Sequence, residues 1–137
     1  LAYHDELTEL GNRSWFIKQL DAPATRVRAP YAVAILDLCR FADVNDGLGY
    51  EVGNTLLHSF ARRLQLHFGG SETLLARLGN DVFGVLGPIS DVNPDQLFNL
   101  LHAPLQAHQH SIPVQIAIGI RTVSDEYLAW VEGNQES

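Results

Sequence analysis

Apolar positions first close up into a nearly continuous run at Tyr31 to Leu38, YAVAILDL. Its branched residues predict a buried central strand that ends around Asp37. Ahead of it, Asn12 to about Leu20 brings Trp15, Phe16 and Leu20 near one helical face with Asn12 placed to cap, and a Pro-bounded loop, Pro23 to Pro30, ends that helix. From Glu51 to Phe68 the apolar residues Val52, Leu56, Leu57, Phe60, Ala61 and Leu64 recur at helical spacing, and Gly69-Gly70 supplies a stop. Thr73 to Leu78 and Asp81 to Leu86 read as short strands around Gly79-Asn80, a two-residue connection of the kind tight hairpins prefer. Asp95 to about Ala107 reads as another amphipathic helix, and Ile112 to Ile120 as a strand with one packed face. The order helix, strand, helix, hairpin, helix, strand predicts an α/β fold, an α+β sandwich whose largely antiparallel central sheet is flanked by helices.

Composition narrows the class of protein. With 137 residues, 46% of them hydrophobic, and neither repeat nor low-complexity tract, residues 1–137 read as one compact domain with a real core. The net charge of -7 lacks the broad positive field that nucleic-acid binding needs. A small anionic ligand stays open, because backbone amides and a bound cation can neutralise phosphate locally. Cys39 is the only cysteine, so no internal disulfide forms and a reducing, cytoplasmic setting is expected. No apolar run approaches the roughly 18 residues of a membrane span, so no membrane contact is expected of this segment. A start at Leu1 and the absence of methionine suggest a piece of a longer multidomain protein.

Two acidic residues sit at strand edges, Asp37 after the apolar run and Asp81 past the hairpin tip. On neighbouring strands, their carboxylates could share a hard divalent cation that bridges to a nucleotide's phosphates. Aspartates at such positions also serve as local backbone acceptors, and spacing leaves both readings open. His108 and His110 could face one way on a strand, but with no further ligand they read as a polar loop; His58, His67 and His102 read as helix-surface or half-buried residues.

Four segments, in order, resemble one family. DELTELGNR, with Asp5, Leu7, Thr8, Leu10, Asn12 and Arg13, resembles D-x-L-T-G-L-x-N-R; DLCRFADVNDGLGYEVGNTLL, Asp37 to Leu57, resembles D-x-D-x-F-K-x-x-N-D-x-x-G-H-x-x-G-D-x-x-L; RLGNDVF, from Arg77, resembles R-x-G-G-D/E-E-F; and QIAIGI, ending at Ile120, stands where the family has its S-I-G strand. These are the motifs of GGDEF domains, the bacterial diguanylate cyclases of cyclic di-GMP signalling. The resemblance implies a fold similar to nucleotidyl cyclases and polymerase palms, with a β-hairpin carrying the signature. It also implies a homodimer across which two GTP molecules are joined. By position Asp37 and Asp81 match the metal-binding carboxylates and Asn45 the asparagine that reads guanine, with Mg²⁺ expected if a nucleotide binds.

The departures from the family pattern are as informative as the matches. Asn54 replaces the aspartate that accepts from guanine N–H groups, a loss of about 1 to 2 kcal/mol, roughly tenfold in affinity. Ala42 replaces a phosphate-facing lysine, and Asn80 replaces a glycine where backbone approaches the nucleotide, placing a side chain in room that glycine leaves empty. Val82 replaces the signature glutamate, and valine neither ligates a cation nor moves a proton; this loss is the decisive one. Cys39 and Tyr50 replace a second aspartate and a histidine. With the signature Gly79, Asn80, Asp81, Val82, Phe83, turnover is expected to fall by about a thousandfold or more. The inhibitory R-x-x-D site is replaced by Gly70, Ser71, Glu72 and Thr73, and the family's final helix has no counterpart in Ser124 to Ser137, where a short helix around Tyr127 and Trp130 is expected instead. The resulting expectation is a degenerate, noncatalytic regulatory domain that binds GTP weakly through Asn45, Asn54, Gly79 and Asn80 and modulates a neighbouring EAL phosphodiesterase or sensor domain. The alternatives are a weakly active cyclase using Asp37 and Asp81, and a dimerisation module that binds no nucleotide.

Overall fold

The computed structural model describes residues 2–21 and 30–123; most of the loop expected after Pro23, and the helix expected around Tyr127 and Trp130, lie outside the described residues. Helix α1 is Arg13–Asp21, strand β1 Tyr31–Leu38, α2 Phe41–Leu48, α3 Tyr50–Phe68, β2 Leu74–Arg77, β3 Val82–Pro88, α4 Pro94–Leu101, β4 Leu105–Ala107, β5 His110–Ile112 and β6 Ile116–Val123. The main sheet runs β2-β3-β1-β6 and every pair in it is antiparallel. The α+β sandwich read from the pattern is the fold observed.

Strand β1 lies inside the sheet, as a run apolar on both faces requires. Ala32, Ala34, Leu36 and Leu38 alternate onto one face, where they pack with Leu57, Phe60 and Leu64 of α3 and with Phe83 and Val85 of β3. The Phe60 and Phe83 rings are 4.8 Å apart and tilted. On the opposite face Phe16 of α1 packs with Tyr31, Ala76 and Leu86, with Val33 and Leu78 alongside. Asn12 starts α1 by accepting the Trp15 N–H at 3.0 Å through its side chain, the capping role read for it.

Four local expectations need correction. Residues 41–48 form a helix, α2, that the periodicity does not announce; Phe41 anchors it in the core against α3. The helix expected over Asp95 to Ala107 begins at Pro94 under an Asn93 cap and stops at Leu101. Pro104 has no N–H to continue it, and Arg63 of α3 donates to the carbonyls left open at Leu100, Ala103 and Pro104. The strand expected over Ile112 to Ile120 is two strands interrupted at Pro113: β5, which pairs with β4, and β6, which joins the main sheet. Finally, the hairpin tip holds three residues, not two: Leu78 N–H donates to Val82 C=O at 2.7 Å, so Asp81 belongs to the turn and β3 begins at Val82.

Candidate functional site

The β1 terminus and the β2–β3 turn meet at one end of the sheet, and the chain runs on from β1 through α2 to an elbow between α2 and α3. The elbow turns on Gly49, whose φ of 92° suits glycine. Its N–H closes α2 on the Asn45 carbonyl at 3.0 Å, and its own carbonyl receives Gly53 N–H at 3.1 Å. This bend lays the Asn45 side chain against Gly53. A Cβ on Gly53 would overlap Asn45 Oδ1, and that oxygen is sealed from solvent without a hydrogen-bond partner among the described residues. Asn54 follows Gly53 and is exposed. The two asparagines read as base contacts therefore meet at the same elbow, flanked by Tyr50, which is 73% exposed.

At the β1 terminus, Asp37 is exposed and pairs in register with Val82. Leu38 N–H donates to the Asp81 carbonyl at 2.9 Å, so the two aspartates are neighbours along the backbone. Directly opposed residues of an antiparallel pair project to the same face. The side chain facing Asp37 across the ladder is thus Val82, with Asp81 one step into the turn. Among the described residues, no group of three or more His, Cys, Asp or Glu side chains comes together that could hold a metal ion. Arg40, with φ of 63°, turns the chain into α2, and its exposed ion pair with Asp43 at 3.5 Å adds little. Ala42, where the resemblance implies a lysine, is exposed.

The signature turn is held from outside itself. The Arg77 guanidinium donates to the carbonyls of Gly79 and Asn80 and, through Nη1, reaches Asp5 Oδ1 at 3.2 Å. Asp5 Oδ2 also accepts the Thr8 N–H at 2.9 Å and the Thr8 hydroxyl at 2.7 Å. Burial pushes the Asp5 carboxyl up, but the Thr8 donors and the Arg77 cation outweigh it and hold the group below the usual carboxylate range. Asp5 and Arg77 carried the motif match in the sequence; their pairing had no signal there, because it spans 72 positions.

On the face shared with α1, Val82 closes an apolar groove of about 390 Å³ together with Phe16, Ile17, Leu20, Val33 and Ile35. The histidines do not gather: His108 sits in the β4–β5 turn at 3.2 Å from the Thr55 hydroxyl, and His102 stacks on Phe98.

Comparison with known proteins agrees with the fold. The family model for the GGDEF domain of diguanylate cyclases matches residues 2–132. Diguanylate cyclase TpbB of Pseudomonas aeruginosa is 34% identical over 129 residues, covering 87% of this chain and 29% of the relative. The bifunctional diguanylate cyclase/cyclic di-GMP phosphodiesterase MucR of the same organism is 33% identical over 130 residues, 88% of this chain and 18% of the relative. Among solved structures, the FimX GGDEF domain from Pseudomonas aeruginosa superposes with a TM-score of 0.77 at 26% identity, covering 92% of this chain and 83% of that one. The chain belongs to the GGDEF family. It spans less than a third of the length of these curated relatives.

Proposed function

We propose that this chain is a noncatalytic regulatory GGDEF domain of cyclic di-GMP signalling, which binds GTP weakly and modulates a neighbouring domain such as an EAL phosphodiesterase. The observation that carries the reading is the pairing of Asp37 with Val82. The family's signature glutamate would stand opposite Asp37 on the same face; here an apolar side chain stands there and belongs to the groove under α1. The carboxylates that would take up the proton and the cation charge of nucleotidyl transfer are thereby reduced to two, Asp37 and the turn residue Asp81. Such a set suits Mg²⁺ that arrives with a polyphosphate, since that ion is held by one or two carboxylates plus phosphate oxygens and water. The ion would supply charge neutralisation at the phosphates. Asp37 and Asp81 would hold it, while Asn45 and Asn54 would hold the base.

Regulation of a neighbour is supported by MucR, whose name joins a cyclase with a phosphodiesterase activity. Binding without turnover keeps the fold useful where the chemistry is gone.

The test is a long incubation of the protein with GTP and Mg²⁺ followed by chromatography, alongside calorimetric titration with GTP and ATP. The expected result is no cyclic di-GMP, with micromolar or weaker binding of GTP in preference to ATP. Product formed at a turnover per second or so overturns the noncatalytic reading. The absence of any heat with GTP leaves the dimerisation module as the account.

A further inference from the structure

Two features at the elbow explain each other. In α3, Gly53 occupies a buried helical position, where glycine is a poor helix former. In α2, Asn45 Oδ1 is a buried acceptor without a partner among the described residues, an arrangement that calls for a reason. The oxygen lies in the volume that a Cβ on Gly53 would fill, with Phe41 Cζ at 3.3 Å from the same point. The missing side chain is therefore a notch, and the amide oxygen fills it. The opposite orientation would push two N–H donors against Cα–H groups, whereas a carbonyl oxygen there accepts weak Cα–H contacts. With the oxygen inside, the NH₂ is the end left to make new contacts.

We propose that Gly53 is a positioning residue for nucleobase recognition: its notch locks the Asn45 amide so that only the NH₂ is presented, and Asn45 reads a hydrogen-bond acceptor on the base. This rests on the reading of the elbow as a guanine-nucleotide site. Gly53 touches no ligand in this scheme. It acts by fixing the orientation of Asn45, which would otherwise turn its amide either way and donate or accept at will. A locked donor pairs with an acceptor such as guanine O6 and rejects adenine, which carries an amino donor at that position; a free amide can turn to suit either.

The experiment compares the wild-type protein with Gly53→Ala, Asn45→Ala and the double variant, by calorimetry with GTP and with ATP in Mg²⁺ and by thermal unfolding without nucleotide. Gly53→Ala is expected to lower GTP affinity about five- to tenfold, as far as Asn45→Ala does, and to bring the GTP-to-ATP ratio close to one. The double variant is expected to bind no worse than either single variant. In the unfolding series the added methyl lowers the melting temperature of the wild type and raises that of Asn45→Ala, where the notch is empty and alanine is the better helix former. Gly53→Ala with an unchanged GTP-to-ATP ratio overturns the inference while leaving the nucleotide site standing. Wild-type protein that binds neither nucleotide overturns both. If Gly53→Ala alone does not fold, a folded double variant supports the notch and an unfolded one removes it.

Discussion

Asp5 and Arg77 form an ion pair at 3.2 Å across 72 positions of sequence, with side chains only 20% and 15% exposed. The same guanidinium ties down the carbonyls of the signature turn. Arg77→Ala leaves those carbonyls without the guanidinium and the Asp5 carboxylate with the Thr8 donors alone, and is expected to cost about 2 kcal/mol of stability, read from urea unfolding. Because folding lowers the Asp5 pKa from its ordinary value of 3.8, the contribution of the charged group is complete above that value. It is lost as pH falls through the lower folded value. Wild type is therefore expected to be more stable than Asp5→Asn at pH 6 and to converge with it as pH drops below about 4. A constant difference between the two down to pH 2 would show that the charge is not what matters.

Asn54→Asp restores a charged acceptor beside Asn45, where the wild-type amide offers a single neutral one. GTP is expected to bind about tenfold more tightly to this variant, with ATP unchanged. Equal gains for the two nucleotides in calorimetry would place the base elsewhere.

Gly84 lies under α1, and a Cβ there would come within 2.8 Å of Phe16 Cζ and 3.0 Å of Leu78 Cδ1. Gly84→Ala is expected to lower stability by about 1 to 3 kcal/mol through overpacking. Adding Phe16→Leu should return part of it, measured by denaturant unfolding; a purely additive pair would contradict the contact.

Cys39 is exposed between Asp37 and the start of α2, with its N–H bonded to the Gln115 carbonyl at 2.9 Å. A thiol reagent is expected to modify it in the folded protein. Saturating GTP with Mg²⁺ should slow that modification severalfold, whereas ATP at the same concentration should slow it less. Equal rates with and without GTP would keep phosphates away from the β1 terminus.

The parts of the fold that were legible in the sequence are those where one strong pattern acts alone. The run YAVAILDL marks β1 to within a residue of its end, and the apolar spacing of α3 places it within a residue of its start. Where two signals compete, the local breaker wins over the periodicity. Pro104 ends α4 and Pro113 divides β5 from β6, although the apolar pattern runs through both. Helix α2 carries no periodic signal, because FADVNDGL is rich in Asp, Asn and Gly, poor helix formers, and owes its structure to packing against α3. At the site, the nearness of Asp37 and Asp81 could be foreseen from strand adjacency, but their facing could not. It depends on the register of β1 against β3, strands far apart in sequence, and that register puts Val82 in the position opposite Asp37. The fit of Asn45 into Gly53 had no signature at all, since it belongs to the angle between two helices.

The central place of β1 also fixes an order of events during synthesis. Its partners are β3 and β6, so the apolar run that emerges first among the strands has neither edge satisfied until residues 82–88 and then 116–123 follow. At a ribosomal pace of about 5–20 residues per second, that wait is on the order of several seconds. During it, Tyr31 to Leu38 is an apolar strand without a sheet, the kind of exposed edge that invites aggregation until α3 and the later strands cover it.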